Sequence, residues 1–148
     1  MNIINSEKLF EQSENFKNST PFKFAFCQNI LNNDKYEKLL TEFPNLENFH
    51  NNPDMSKNQL LLDWNEPDKD PHKTVFPGTN NLFSNAWNEF KLFSESEECL
   101  KMFRDFSGVP VNKLKHFRFI SYKNGGFQLP HAHNVGPSTL NVFFYFSP

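Results

Sequence analysis

Aliphatic residues are in short supply in this sequence, and no apolar run approaches the roughly 20 residues that a membrane-spanning helix needs. No transmembrane segment, and no membrane partner, is therefore expected. The first residues, MNIINSEKLFEQ, lack the basic cluster and apolar core of a secretory leader, so a cytoplasmic location is expected. Only two cysteines occur, Cys27 and Cys99. They have no metal-binding spacing and sit in no small disulfide framework, which points to two reduced thiols. Basic stripes are missing too: the 15 basic residues, 13 of them Lys, are scattered, and net charge is −2. That leaves no electrostatic footprint for nucleic acid, and none is expected as a partner. The hydrophobic fraction is 37%, below the ordinary range of about 45–50% counted with Gly, and mean hydropathy is −0.66.

Those values alone suit a disordered chain, but disordered chains are poor in aromatics. This one has 19 Phe, 3 Tyr and 2 Trp among 148 residues. Rings burying roughly 150–250 Å² each can build a core without many aliphatics. With 21 Asn on the polar side, the composition predicts one folded domain with a Phe-rich core and an Asn-rich surface.

Residues 1–20 are polar apart from Leu9, Phe10 and Phe16, and are expected to form an amino-terminal arm or docking helix. Residues 21–148 are expected to form a single domain, with a helical and loop part over 21–110 and a β part over 111–148. Phe22, Phe24 and Phe26 alternate with period two, the signal of a half-buried strand. Tyr36, Leu39, Leu40 and Phe43 follow at helical spacing behind Asp34, and Pro44 stops the helix. Residues 45–80 are the least regular, with Leu60, Leu61 and Leu62 as one candidate strand. Helical periodicity returns at Leu82, Phe83, Ala86, Trp87 and Phe90. A second helix follows through Cys99, Leu100, Phe103 and Phe106, closed by Gly108 and Pro110.

Beyond Pro110 the pattern is β: residues 113–122, a tight Asn124-Gly125-Gly126 turn, then extended chain to His133. A further strand is expected over residues 139–146, with Leu140, Val142, Phe144 and Phe146 on one face. Asn141, Phe143 and Tyr145 share the other, which carries the polar atoms and is the expected pocket lining. Helices first and sheet second predict an α+β fold.

His131-Ala132-His133 is the most informative tripeptide. In a strand, residues i and i+2 share a face, so two imidazoles would project together. Such a pair suits Fe, Zn, Cu or Ni, although an isolated His-x-His is as readily a partly exposed pair without metal. The string from Tyr122 through Gly125-Gly126 and Pro130 to His133-Asn134, followed by the apolar residues 140–146, resembles the iron(II)- and 2-oxoglutarate-dependent oxygenases of the prolyl-hydroxylase-like superfamily. Residues 20–148 match in order and pattern, and the last 27 carry the specific part.

This resemblance implies a double-stranded β-helix (jelly-roll or cupin-like) with amino-terminal helices packed on it, present in part and without its carboxy-terminal core strands. It implies Fe(II) as cofactor, 2-oxoglutarate as co-substrate, and hydroxylation of a small molecule or peptide. His131 and His133 would be metal ligands, with His133 where the family has Asp. Tyr122, Tyr145 and Asn134 match positions that contact the co-substrate or fix the loop beside it; either tyrosine could equally be an ordinary core ring. Arg118 could face the pocket or form a surface ion pair. The distal His and the basic residue that bind metal and co-substrate in the family lie downstream of the pair, and no equivalent follows His133 here. His50, His72 and His116 are the remaining candidate ligands, out of family order. Two other functions stay open: a non-catalytic β scaffold, and a structural zinc site completed by a second chain. A missing set of strands predicts exposed Phe near the carboxyl terminus and self-association through an open β edge.

Overall fold

The computed structural model describes residues 3–65, 75–130 and 136–146. It is mixed helix and sheet, in the order α1 (Ser6–Phe10), α2 (Ser13–Asn18), α3 (Asn33–Thr41), β1 (His50–Asp54), β2 (Lys57–Asp63), α4 (Asn85–Glu95), α5 (Glu97–Ser107), β3 (Arg118–Ser121) and β4 (Phe127–Gln128). Among the described residues, no helix is long and apolar enough to cross a membrane.

The amino-terminal residues dock rather than hang loose. Leu9 and Phe16 are buried, Phe16 lies 5.2 Å from Phe106 of α5 between ring centroids, and Ser13 Oγ donates to Phe106 O at 2.7 Å. Ile3 and Ile4 are buried where the chain bridges to Leu31. Serines set the two long helices. Ser84 caps α4 by accepting from Trp87 N, three residues on. Ser96 ends α4 and starts α5: its Oγ donates to Phe93 O at 2.6 Å and accepts from Cys99 N at 3.2 Å. Gly108 closes α5 with φ of 72°, a conformation a Cβ disfavours.

β1 and β2 form a hairpin around Met55-Ser56: the candidate strand at Leu60, Leu61 and Leu62 is part of β2, and it gains a partner in β1 that the composition of residues 45–80 did not suggest. The Asn and Pro content that suggests loop instead suits an edge strand, where Pro53 need not donate. β2 is the central strand. It pairs antiparallel with β1 on one side and with β3 and β4 on the other. Leu60, Leu62 and Phe119 face the helices and join the core.

Two expected strands are corrected. Residues 22–26 have no sheet partner among the described residues, and their Phe face points to solvent. Alternation shows which residues share a face, not which face turns inward; here the smaller Ala25 and Cys27 pack on the core. Residues 139–146 likewise have no sheet partner among the described residues. Leu140, Phe144 and Phe146 do turn inward, but onto helices: Phe144 meets Phe90 of α4, and Phe146 stacks on Tyr36 of α3. Phe143 and Tyr145, on the face expected to line a pocket, are exposed.

Between Trp64 and α4 one charged cluster fixes the chain. Lys91 is fully buried, and its ammonium gives its three donors to Glu95 Oε2 at 2.6 Å, Phe76 O at 2.5 Å and Gly78 O at 2.8 Å. Glu95 Oε1 accepts in turn from Gly78 N. Breaking one side of a buried pair leaves uncompensated groups and costs about 3–5 kcal/mol. Glu95 keeps some solvent contact, which places Lys91→Met near the lower end, about 3 kcal/mol, read as a lower urea midpoint at unchanged slope.

Candidate functional site

The register of the sheet defines the site's surroundings. Leu61 pairs with Ile120 and His50, and Lys57 pairs with Gln128. Side chains alternate along a strand, so Gln59, Leu61 and Asp63 share the face turned away from the helices with Arg118, Ile120 and Gln128. That face is polar at both ends. Arg118 Nε donates to Asp63 Oδ1 at 2.6 Å, so Arg118 forms the ion pair rather than reaching into a pocket. Tyr122 extends the row, and its hydroxyl lies 3.2 Å from Gln59 Oε1 and 3.1 Å from Gln128 Oε1. One hydroxyl proton can serve either amide oxygen. Gln59 is only 6% exposed, and Leu61 4% although it lies outside the main core.

β3 and β4 are two parts of one strand. Both pair with β2, and the Asn124-Gly125-Gly126 turn interrupts them without reversing the chain. The pairing sum rises from Leu60 with Ser121 to Asn58 with Phe127, so the turn loops four extra residues out of the ladder. Gly126 N donates to Lys123 O at 2.7 Å, and Gly125 has φ of 78°. A Cβ on Gly126 would lie 2.8 Å from Lys123 O and 3.0 Å from Asn58 O, both backbone atoms. The two glycines thus serve different needs, positive φ and close approach. Beside them lies a shallow, solvent-open depression of about 500 Å³, lined by Tyr122, Gly126, Phe127, Gln128, Leu129 and Pro130.

His131, His133 and Asn134 lie outside the described residues, as does His72. The structure therefore places the approach to the His pair and not the pair itself. Tyr122 is half exposed at the depression with its hydroxyl held by the glutamines. Tyr145 is 76% exposed on the outward face of residues 139–146. His50 and His116 are exposed. Among the described residues, no three His, Cys, Asp or Glu side chains are grouped to hold a metal. Comparisons with protein-family models, with curated proteins and with solved structures find no match to this chain.

Gln59 and Gln128 were not visible as site residues from sequence. The period-two spacing of Gln59, Leu61 and Asp63 holds the signal, but it needs the strand start at Lys57, which the surrounding Asn and Pro conceal. The cysteines take no part. Burial, with Glu98 adding to it, pushes the Cys99 thiol up to about 12, and burial alone raises Cys27.

Two predictions arise here. Gly126→Ala is expected to lower stability by about 1–3 kcal/mol through backbone overpacking, measured by thermal unfolding. In the native protein a disulfide reagent near neutral pH should modify Cys27 first and Cys99 only on unfolding. The raised Cys99 value stabilises the protonated fold fully below the unfolded value of 9.0 and is lost as pH rises toward about 12. Stability should therefore fall across that window, and less so in Cys99→Ala.

Proposed function

We propose that this chain is an oxygenase-like domain of the iron(II)- and 2-oxoglutarate-dependent, prolyl-hydroxylase-like superfamily, with His131 and His133 as metal ligands. The observation that carries the reading is the string from Tyr122 to His133. Its tyrosine, Gly126 of its turn and residues 127–130 border one depression. An open antiparallel sheet backed by helices on one face is compatible with part of a double-stranded β-helix. The donor chemistry also fits: two imidazoles suit Fe(II), and Gln59, Gln128 and Tyr122, on or beside the strands that precede them in the chain, are neutral hydrogen-bonding groups.

When bound, iron would supply the oxidation with 2-oxoglutarate and O2 as co-substrates, one oxygen atom ending in succinate and the other in the hydroxylated product, with loss of CO2. The chain's own part is positional. Gly126 lets the strand approach Asn58 closely, and the Tyr122 hydroxyl, bonded to Gln59 or Gln128, ties that strand to β2 through the first of them. The third ligand and the cation for the co-substrate carboxylate are not assigned to residues of this chain.

One observation favours a second reading, a non-catalytic β scaffold: Tyr122 already spends its hydroxyl on glutamines, and Tyr145 faces solvent. Anaerobic titration with Fe(II) and then 2-oxoglutarate separates the two. The oxygenase reading expects a visible charge-transfer band that needs both components. Outer partners of a metal ligand are worth roughly 10–100-fold in affinity, so His131→Ala or His133→Ala should cost at least about 100-fold. No band in the parent chain rejects the enzyme, and zinc alone in elemental analysis would favour a structural metal site.

A further inference from the structure

Self-association was expected at an open sheet edge, but the described surface offers a better-defined seam elsewhere. Residues 22–26, Phe-Lys-Phe-Ala-Phe, run on from a bend at Pro21-Phe22 without a further bend or turn, with Phe22, Phe24 and Phe26 exposed at 67%, 58% and 67%. We propose that this segment pairs antiparallel with the same segment of a second copy, giving a two-fold symmetric homodimer. The proposal is independent of the oxygenase reading.

The hydrogen bonding of the segment fixes where the axis must fall. Phe24 N donates to Ser19 Oγ at 3.0 Å, and Phe24 O lies 3.3 Å from the same oxygen. Both backbone groups of Phe24 therefore point back into their own chain. In an extended strand the groups of residues i±1 point the opposite way, so Lys23 and Ala25 present N–H and C=O on the other edge. Among the described residues, no backbone partner takes those groups. A two-fold axis at Phe24 makes Phe24 and its copy a non-hydrogen-bonded pair. Lys23 then faces the copy's Ala25 as a hydrogen-bonded pair, and the reciprocal pair forms on the other side.

The sequence is self-complementary about that axis. Phe22 comes opposite the copy's Phe26, so all six rings share one face and can pack as cross-strand aromatic pairs. Lys23 meets Ala25 and not a second Lys23, which avoids like charges across the pair. The association is expected to be weak. At ~200 Å² per ring, the exposed fractions amount to about 400 Å² of apolar surface per copy. Pairing covers the ring flanks that meet the copy and leaves the shared face open, which puts the seam among small, transient interfaces.

Light scattering and native mass spectrometry of the full chain test the oligomer, and cysteine crosslinking tests the register. A dimer with a micromolar-range dissociation constant is expected. Phe24→Lys sets two charges face to face on the axis and should weaken it at least about tenfold, with thermal unfolding of the monomer unchanged because the ring is exposed. Under mild oxidation Phe24→Cys should form a covalent dimer beyond the level of the parent. Phe22→Cys should not, because its own copy lies four residues away along the seam; the double variant Phe22→Cys with Phe26→Cys should. A chain still monomeric near 100 μM, on the scale of weak encounters, overturns the proposal. So does a dimer that Tyr145→Lys disrupts and Phe24→Lys leaves intact, or one in which Phe22→Cys crosslinks as well as Phe24→Cys.

Discussion

The edge-on contact between Trp87 of α4 and Phe119 of β3, with ring centroids 4.7 Å apart at 75°, ties helices to sheet. Around it the other rings assemble. Phe119 stacks on Phe83 and meets Phe43, Phe49 and Phe117, while Trp87 also receives Phe90 and Phe146. Edge-on pairs are worth about 0.5–1.5 kcal/mol beyond the area they bury. A chain short of Leu, Ile and Val gains its cohesion here, through geometry as much as through area. There is a cost: among the described residues Trp87 Nε1 is buried without a hydrogen-bond partner. An unmet donor of that kind costs about 1–3 kcal/mol, which the surrounding ring pairs offset.

The two long helices were legible because their signals are local. Ser96 and Gly108 are cap residues at fixed offsets from an apolar stripe, and capping needs no distant partner. The sheet was legible only in pieces. Phe119 and Leu62 read as β residues, yet their pairing reaches across both long helices, and no local pattern reports it. The hairpin at Met55-Ser56 was hidden by Asn and Pro, which describe an edge strand as well as a loop. Residues 22–26 show the opposite failure. Their alternation was read correctly and their inward face wrongly, because ring size suggested burial while Ala25 and Cys27 made the closer fit.

The same limit applies to the candidate site. The Gly-Gly turn was visible, and its two glycines have separate structural reasons. The glutamines that hold Tyr122 were not, since Gln59 and Gln128 become neighbours only through the pairing of β2 with both halves of one strand. The Lys91–Glu95 cluster was equally hidden: a lysine in a helix reads as surface until the carbonyls of Phe76 and Gly78 arrive beside it.

The turn at residues 122–126 loops four residues out of the ladder, yet Gln128 keeps the face of Ile120, because their partners Lys57 and Leu61 lie on one face of β2. That face is set by pairing with β2 and not by the number of residues looped out. The turn is therefore free to vary in length without turning Gln128 away from Gln59. Insertions there reshape the depression beside the turn and leave the register of the sheet as it is.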